Sequence, residues 1–302
     1  MNSPLEGGCT LTGALSVTTE IEGAVTVIHG PAGCAHHNFS LFHALCAGRD
    51  DPVLPAIVST DLSESDIIFG GEESLERTLR EVAAAGNCSL VCVLQTCVSG
   101  AIGDDVDSVC GEDYGVPVVP IPTAGFLGGG FHDGHVRALL SLVPPARGGK
   151  KTISANIVGE KTLEFEREAH YGEVSRLLSA IGVPVCTRFV CRSSVEGISR
   201  LPQGAVNILR DPSMVAVGEH LEAEFGTPYV SSFPLGPSGT IRFLEELGEI
   251  LSLDVSTAVA GEKARQERIF WEFRHLRGER IRFCEASGHA DSLEACREIA
   301  EA

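Results

Sequence analysis

The chain has 302 residues, 43% of them hydrophobic, enough to bury a substantial core, and that length suits two domains of ordinary size. Its 23 Lys and Arg against 41 Asp and Glu leave a formal charge of −18, which removes the electrostatic driver for non-specific nucleic-acid or membrane-surface binding. No stretch reaches the ~20 apolar residues of a spanning helix, and the opening MNSPLEGGCT lacks the regions of a secretory signal, so a cytoplasmic protein is expected.

In chain order, residues 24–28 are an apolar β-rich run and read as a strand, followed by the turn His29-Gly30-Pro31-Ala32-Gly33. Residues 66–69 read as the end of another strand. Gly70-Gly71-Glu72-Glu73 then opens a helix to about residue 85, with acids in its first turn as the helix dipole prefers. A strand is expected over 89–95, a loop over 96–101, a short helix over 102–110 and a strand over 116–119, leading into Ala124-Gly125-Phe126-Leu127-Gly128-Gly129-Gly130. Strand, loop and helix alternating with short connections predict parallel strands joined by right-handed crossovers. The low aromatic content, 6%, suits helices packed closely on such a sheet.

Pro144-Pro145-Ala146-Arg147-Gly148-Gly149 reads as a linker, dividing a first α/β domain, 1–147, from a second, 148–257. In the second, strands are predicted over 152–159, 183–189 and 205–208, with helices over 172–181, 214–225 and 240–251. Over 258–302 the pattern gives a long helix, 262–276, with Ile269, Phe270, Phe273 and Leu276 on its buried side, then a strand, 279–285, and a helix, 292–300. One strand and one helix cannot cover their own apolar faces, so this portion is expected to be a docked appendage or the start of an incomplete third domain. Gly148-Gly149-Lys150-Lys151-Thr152 lacks the glycine spacing and the Lys-Ser/Thr register of a phosphate loop, and Gly128-Gly129-Gly130 lacks the dinucleotide pattern.

Eleven cysteines in a reducing compartment call for ligands or buried core positions rather than disulfides. Cys88 and Cys92 flank and enter an apolar strand and read as small core residues, as do Cys186, Cys191, Cys284 and Cys296. Cys9, Cys34 and Cys97 differ: small residues surround them in loops, where backbone N–H groups can face an anionic group. Ligands of a parallel α/β sheet collect at such loops. Spacing alone leaves a metal site and incidental loop cysteines both open, since the CxxC pairs of compact sites are missing.

The neighbouring strings decide more. Cys9-Thr10-Leu11-Thr12-Gly13-Ala14, His29-Gly30-Pro31-Ala32-Gly33-Cys34, Ser59-Thr60-Asp61-Leu62, Asp66-Ile67-Ile68-Phe69-Gly70-Gly71-Glu72-Glu73, Thr96-Cys97 and Ile102-Gly103-Asp104-Asp105, in this order, resemble the nitrogenase component 1 family. Asn156-Ile157-Val158-Gly159, Leu177-Leu178-Ser179-Ala180-Ile181-Gly182, Phe225-Gly226-Thr227-Pro228-Tyr229 and Leu235-Gly236-Pro237-Ser238-Gly239-Thr240 extend the resemblance over the second domain. It implies an α/β fold of two Rossmann-like parallel-sheet domains plus the start of a truncated third. It also implies that Cys9, Cys34 and Cys97 hold an iron–sulfur cluster, 4Fe-4S or a larger one shared at a subunit interface. Electrons would come from an ATP-dependent iron–sulfur reductase, and the subunit partner would be a second copy or a paralogue.

Within that family, nitrogenase holds its molybdenum–iron cofactor partly through a cysteine in the second domain. The matching stretch here, Val206-Asn207-Ile208-Leu209-Arg210-Asp211-Pro212-Ser213, has none, so dinitrogen reduction is not expected. The compact pattern resembles the tetrapyrrole-reducing members, above all the homodimeric methanogen component that reductively cyclises a nickel tetrapyrrole in coenzyme biosynthesis. A non-catalytic scaffold for metallocluster assembly, or a reductase of another small molecule, is the alternative. His36 and His37 are weak candidates for catalytic contacts, surface histidines of a helix more often capping or packing. Glu72 and Glu73 are explained by the helix dipole.

Overall fold

The computed structural model describes residues 8–47, 54–126, 128–145, 150–162, 167–279 and 290–301. The described chain opens on helix α1 (Thr10–Thr18), a two-residue strand β1 (Ile21–Glu22) and strand β2 (Ala24–His29). Helix α2 (Ala32–Ala47), strand β3 (Ile57–Ser59), helices α3 (Glu64–Phe69) and α4 (Glu72–Ala84), and strand β4 (Leu90–Gln95) follow. Helices α5 (Cys97–Ile102) and α6 (Val106–Cys110), strand β5 (Val118–Ile121) and helix α7 (Phe131–Ser141) complete the first unit. Its sheet is parallel throughout, in the order β3-β2-β4-β5. Val91, Cys92, Val93 and Leu94 of β4 are all fully buried, because helices cover both faces of a parallel sheet and a continuous apolar run is then required.

The second unit comprises β6 (Thr152–Val158), α8 (Arg167–Ala180), β7 (Val185–Phe189), a short β8 (Ser193–Ser194) and α9 (Val195–Ser199). After these come β9 (Gly204–Leu209), α10 (Val215–Phe225), β10 (Tyr229–Val230), α11 (Gly236–Leu251), α12 (Ser256–Glu272) and α13 (Ala290–Glu301). Its parallel sheet runs β10-β9-β6-β7. The expected α/β class with parallel sheets is therefore the observed one. Among the described residues no helix is long and apolar enough to cross a membrane.

The two units meet around α1. All nine of its residues are buried, and Leu11, Leu15 and Val17 share one apolar cluster with Ile28 and Leu94 of the first sheet and with Val158, Phe189 and Leu209 of the second. β1 pairs with β8, a parallel stitch across the same junction. α1 crosses α7 at two glycines. A Cβ on Gly13 would lie 1.8 Å from the carbonyl oxygen of Phe131, and one on Gly134 would lie 1.8 Å from that of Thr10, so both positions exclude any side chain.

Several elements depart from the sequence expectation. Residues 66–69 end helix α3 instead of a strand: Ser63 accepts the Asp66 amide while the Asp66 carboxylate accepts the Ser63 amide, a reciprocal cap. The apolar Ile68 and Phe69 that suggested a buried strand are 72% and 85% exposed, and the strand lies earlier, at β3. The expected loop 96–101 is mostly helix α5, begun by the Thr96 side chain accepting the Ser99 amide and closed by Gly103 in the left-handed region. That glycine delays the next helix, expected from 102, until Val106. The long helix expected over 262–276 starts earlier, at Ser256, and gives way to a 3₁₀ turn, Arg274–Leu276. Its Ile269, Phe273 and Leu276 are exposed; the side chain it buries is Glu262, held by Arg176 at 2.7 Å. Cys92 and Cys191 are core residues as expected, whereas Cys88, Cys186 and Cys296 are half-buried. Cys284, most of the expected strand 279–285 and the glycine-rich linker 146–149 lie outside the described residues.

Candidate functional site

Cys9, Cys34 and Cys97 each stand at the beginning of a helix. Cys9 is the extended residue preceding α1, Cys34 lies in the first turn of α2, and Cys97 is the first residue of α5. The amino end of a helix presents unpaired N–H groups and the positive end of its dipole, an environment that favours a thiolate or an anionic group bound by one. Parallel pairing of β2 with β4, with His29 opposite Gln95, sends the Cys34 loop and the Cys97 helix off the same sheet edge side by side. Gly30 is required there, because a Cβ on it would lie 2.2 Å from Thr96 Oγ1. The glycine-rich stretch that ends at residue 130 wraps the start of α1: Thr10 Oγ1 donates to the Thr123 carbonyl, and a Cβ on Gly125 would lie 2.7 Å from that hydroxyl.

Cys34 lies within electrostatic reach of Cys9 and of Cys97. Burial pushes the Cys34 thiol up, and the Cys9 and Cys97 thiols push it further. Cys9 and Cys97 are exposed and Cys34 is half-buried, so the group opens to solvent. Among the described residues no three His, Cys, Asp or Glu side chains converge as a single-ion site. Three thiols on separate helix starts, spread too widely for one tetrahedral ion, are a donor set suited to a polynuclear iron–sulfur group. His36 and His37 are exposed on α2, and the Glu72 carboxylate accepts the Asp105 amide at 2.8 Å, a structural contact.

Beneath the thiols lies a polar layer that the sequence reading missed. His29 is fully buried; its Nε2 donates to Asp104 Oδ2 at 2.8 Å, and Asp104 Oδ1 accepts the Gly71 amide at 2.9 Å. Burial outweighs the carboxylate and holds the imidazole below its usual range, so the pair is a neutral ring on a carboxylate. The His29 carbonyl accepts the Thr96 amide and the Ser99 hydroxyl, tying β2 to the start of α5. Both residues stand in quoted strings, His29-Gly30-Pro31 and Ile102-Gly103-Asp104, but 75 positions separate them, and no local pattern shows their contact.

A second missed residue is His135 of α7, fully buried where α1, α7 and the second unit meet. Its Nδ1 is 2.9 Å from Ser16 Oγ, and its Nε2 makes no well-formed hydrogen bond among the described residues. Burial, with Lys161 adding to it, pulls this imidazole down to about 3. Charged pairs line the carboxyl ends of the second sheet nearby: Lys161 with Asp211 at 3.3 Å, and Arg188 with Glu160 at 2.7 Å and Glu168 at 3.0 Å. The turn after β9 thus carries Arg210 and Asp211 and no thiol.

Two parallel-sheet units thus share a buried helix, and three thiols stand at helix starts, two of them at the carboxyl edge of the first sheet. The chain belongs to the family of nitrogenase component 1 type oxidoreductases, matching it over residues 9–282. Among its relatives, the nitrogenase iron-molybdenum cofactor biosynthesis protein NifE of Clostridium pasteurianum is 32% identical over 250 residues, covering 80% of this chain and 53% of that protein. The nitrogenase molybdenum-iron protein alpha chain of Methanosarcina barkeri is 26% identical over 298 residues, 93% of this chain and 55% of that one. The structure of nitrogenase Cp1 at pH 5 superposes with a TM-score of 0.70 at 22% identity, covering 90% of this chain and 56% of that chain, a likeness of fold. The chain spans about half the length of these relatives.

Proposed function

We propose that Cys9, Cys34 and Cys97 hold an iron–sulfur cluster through which the protein receives electrons from an ATP-dependent iron–sulfur reductase, with a second copy or a paralogue as subunit partner. The observation that carries this reading is that three cysteines each stand at a helix start, with Cys34 within electrostatic reach of both Cys9 and Cys97. When bound, such a cluster accepts and passes on single electrons. The chain's own contribution is to supply three thiolates, to direct three helix amino ends at the cluster's negative charge, and to seat the ligands on buried hydrogen bonds.

Of the finer readings, a role in assembling or holding a metallocluster is supported by relatives named for cofactor biosynthesis. Reduction of a tetrapyrrole in coenzyme biosynthesis is the second reading. It is supported by the stretch 206–213, which has no cysteine where nitrogenase holds its metal cofactor. Anaerobic reconstitution with iron and sulfide, followed by metal counts and EPR, tests the cluster; a protein that takes up no iron refutes it. Reduction with a cognate reductase and ATP then separates the finer readings. Turnover of a nickel–sirohydrochlorin-type macrocycle selects the second, and transfer of a cluster to an acceptor protein selects the first.

A further inference from the structure

Cys9 and Cys34 stand at the starts of different helices, and a polar strap with a buried centre joins them. Cys9 Sγ lies 3.5 Å from Thr12 Oγ1, one turn along α1. Thr12 Oγ1 donates to Asn38 Oδ1 at 2.8 Å, and Asn38 Nδ2 donates to the Cys34 carbonyl at 2.9 Å, one turn back along α2. Thr12 is 4% exposed and Asn38 is 2% exposed. The amide orientation is fixed by its partners, since a backbone carbonyl can only accept and the nitrogen must face it. The Thr12 hydroxyl has one proton and gives it to Asn38, so toward Cys9 it offers an acceptor.

The geometry points to Thr12 and Asn38 as positioning residues that set the separation of the Cys9 and Cys34 sulfurs before any cluster is bound. The inference rests on the proposed cluster reading for its purpose, although the strap itself acts on the free thiols. The central link, Thr12 to Asn38, crosses between the two helices and is buried, while the two outer links anchor to the ligand residues and are part-buried. A buried hydrogen bond holds its partners more tightly than the same contact at a surface, because no water replaces it when the groups drift apart. Asn38 is therefore the joint at which α2 is registered on α1, and Thr12 passes that register to Cys9.

The test uses the full chain, first without metal. Cys9 and Cys34 are bridged with a short bifunctional thiol reagent, and the rate is followed by mass spectrometry of the linked peptides. Thr12→Val removes the hydroxyl at nearly constant volume, Thr12→Ser restores it, and Asn38→Asp keeps the acceptor while removing the donor to Cys34. Losing one net hydrogen bond from the strap is expected to slow bridging by about fivefold in Thr12→Val and Asn38→Asp. Thr12→Ser is expected to retain the wild-type rate. Circular dichroism on the same samples shows whether each variant is folded, and Thr12→Ser and Thr12→Val are compared at matched fold. After reconstitution, Thr12→Val is expected to shift the midpoint potential and EPR line shape of the cluster while Thr12→Ser does not. Equal bridging rates in folded wild type and Thr12→Val overturn the inference whether or not iron is taken up. Altered bridging in a protein that binds no iron upholds the strap and refutes the cluster reading instead.

Discussion

The buried imidazole of His135 makes the stability of this fold depend on pH in a calculable way. Its pKa in the folded chain is held at about 3 against an ordinary 6.5, so the folded state keeps the ring neutral and the unfolded state binds the proton first. A group whose folded pKa is depressed contributes in full above the unfolded value and loses that contribution as pH falls toward the folded one. For these two values the loss from neutral pH to about pH 5 is about 2 kcal/mol, rising to roughly 4 kcal/mol near pH 3. Carboxylates titrate over the lower part of that window, so the wild type alone does not isolate the ring. His135→Gln carries no proton in this range and is the reference. Urea unfolding of the cluster-free protein at a series of pH values gives both curves. The wild type is expected to lose about 2 kcal/mol more than His135→Gln between neutral pH and about pH 5, even though the variant starts less stable. Parallel curves would falsify the assignment of a neutral, sealed imidazole.

Gly13→Ala adds a methyl group where the Phe131 carbonyl already stands. Helix propensity favours alanine by about 1 kcal/mol, but overpacking against backbone costs up to about 3 kcal/mol, so thermal unfolding should show net destabilisation; an unchanged midpoint refutes the tight crossing. Cys34→Ser is expected to abolish iron uptake, while Cys92→Ala, which alters a fully buried residue of β4 outside the triad, keeps it at a stability cost of about 1 kcal/mol. Iron analysis on both variants decides this. Asp104→Asn places an amide against the His29 donor and should cost about 1–3 kcal/mol, measured by urea unfolding, with weaker protection of the Thr96 amide in hydrogen exchange. Because the His29 pKa is also lowered, the stability it contributes fades as pH drops below the unfolded value of 6.5, and Asp104→Asn should alter that slope.

The strands that the sequence announced include the central ones of each sheet, β2, β4, β6 and β9, where burial on both faces demands an unbroken apolar run, and the edge strands β5 and β7. The short edge strands β3 and β10, of three and two residues, gave no such run. Helices α4, α10 and α11 were equally plain, having amphipathic patterns or glycine ends. α3 was hidden because Ile67, Ile68 and Phe69 are exposed, so hydrophobicity there does not report burial. α5 was hidden because Cys97-Val98-Ser99-Gly100 carries no periodicity; its helix depends on the Thr96 cap and the Gly103 stop. Of the candidate site, the thiols were visible through their neighbouring strings. The groups that seat them were not, since His29 with Asp104, and Thr12 with Asn38, are pairs made by the fold across 75 and 26 positions.

Helix α1 bears on how such a chain can be divided. A cut at the linker would seem to release a self-contained thiol-bearing module. Yet α1, which carries Cys9 at its head, has its flanks pressed into the apolar surface of both units. Removing the second unit would strip one wall from the helix that aims the first ligand. The inheritable piece in this architecture is therefore the pair of units together, and a graft or truncation intended to keep the thiol triad intact must carry both.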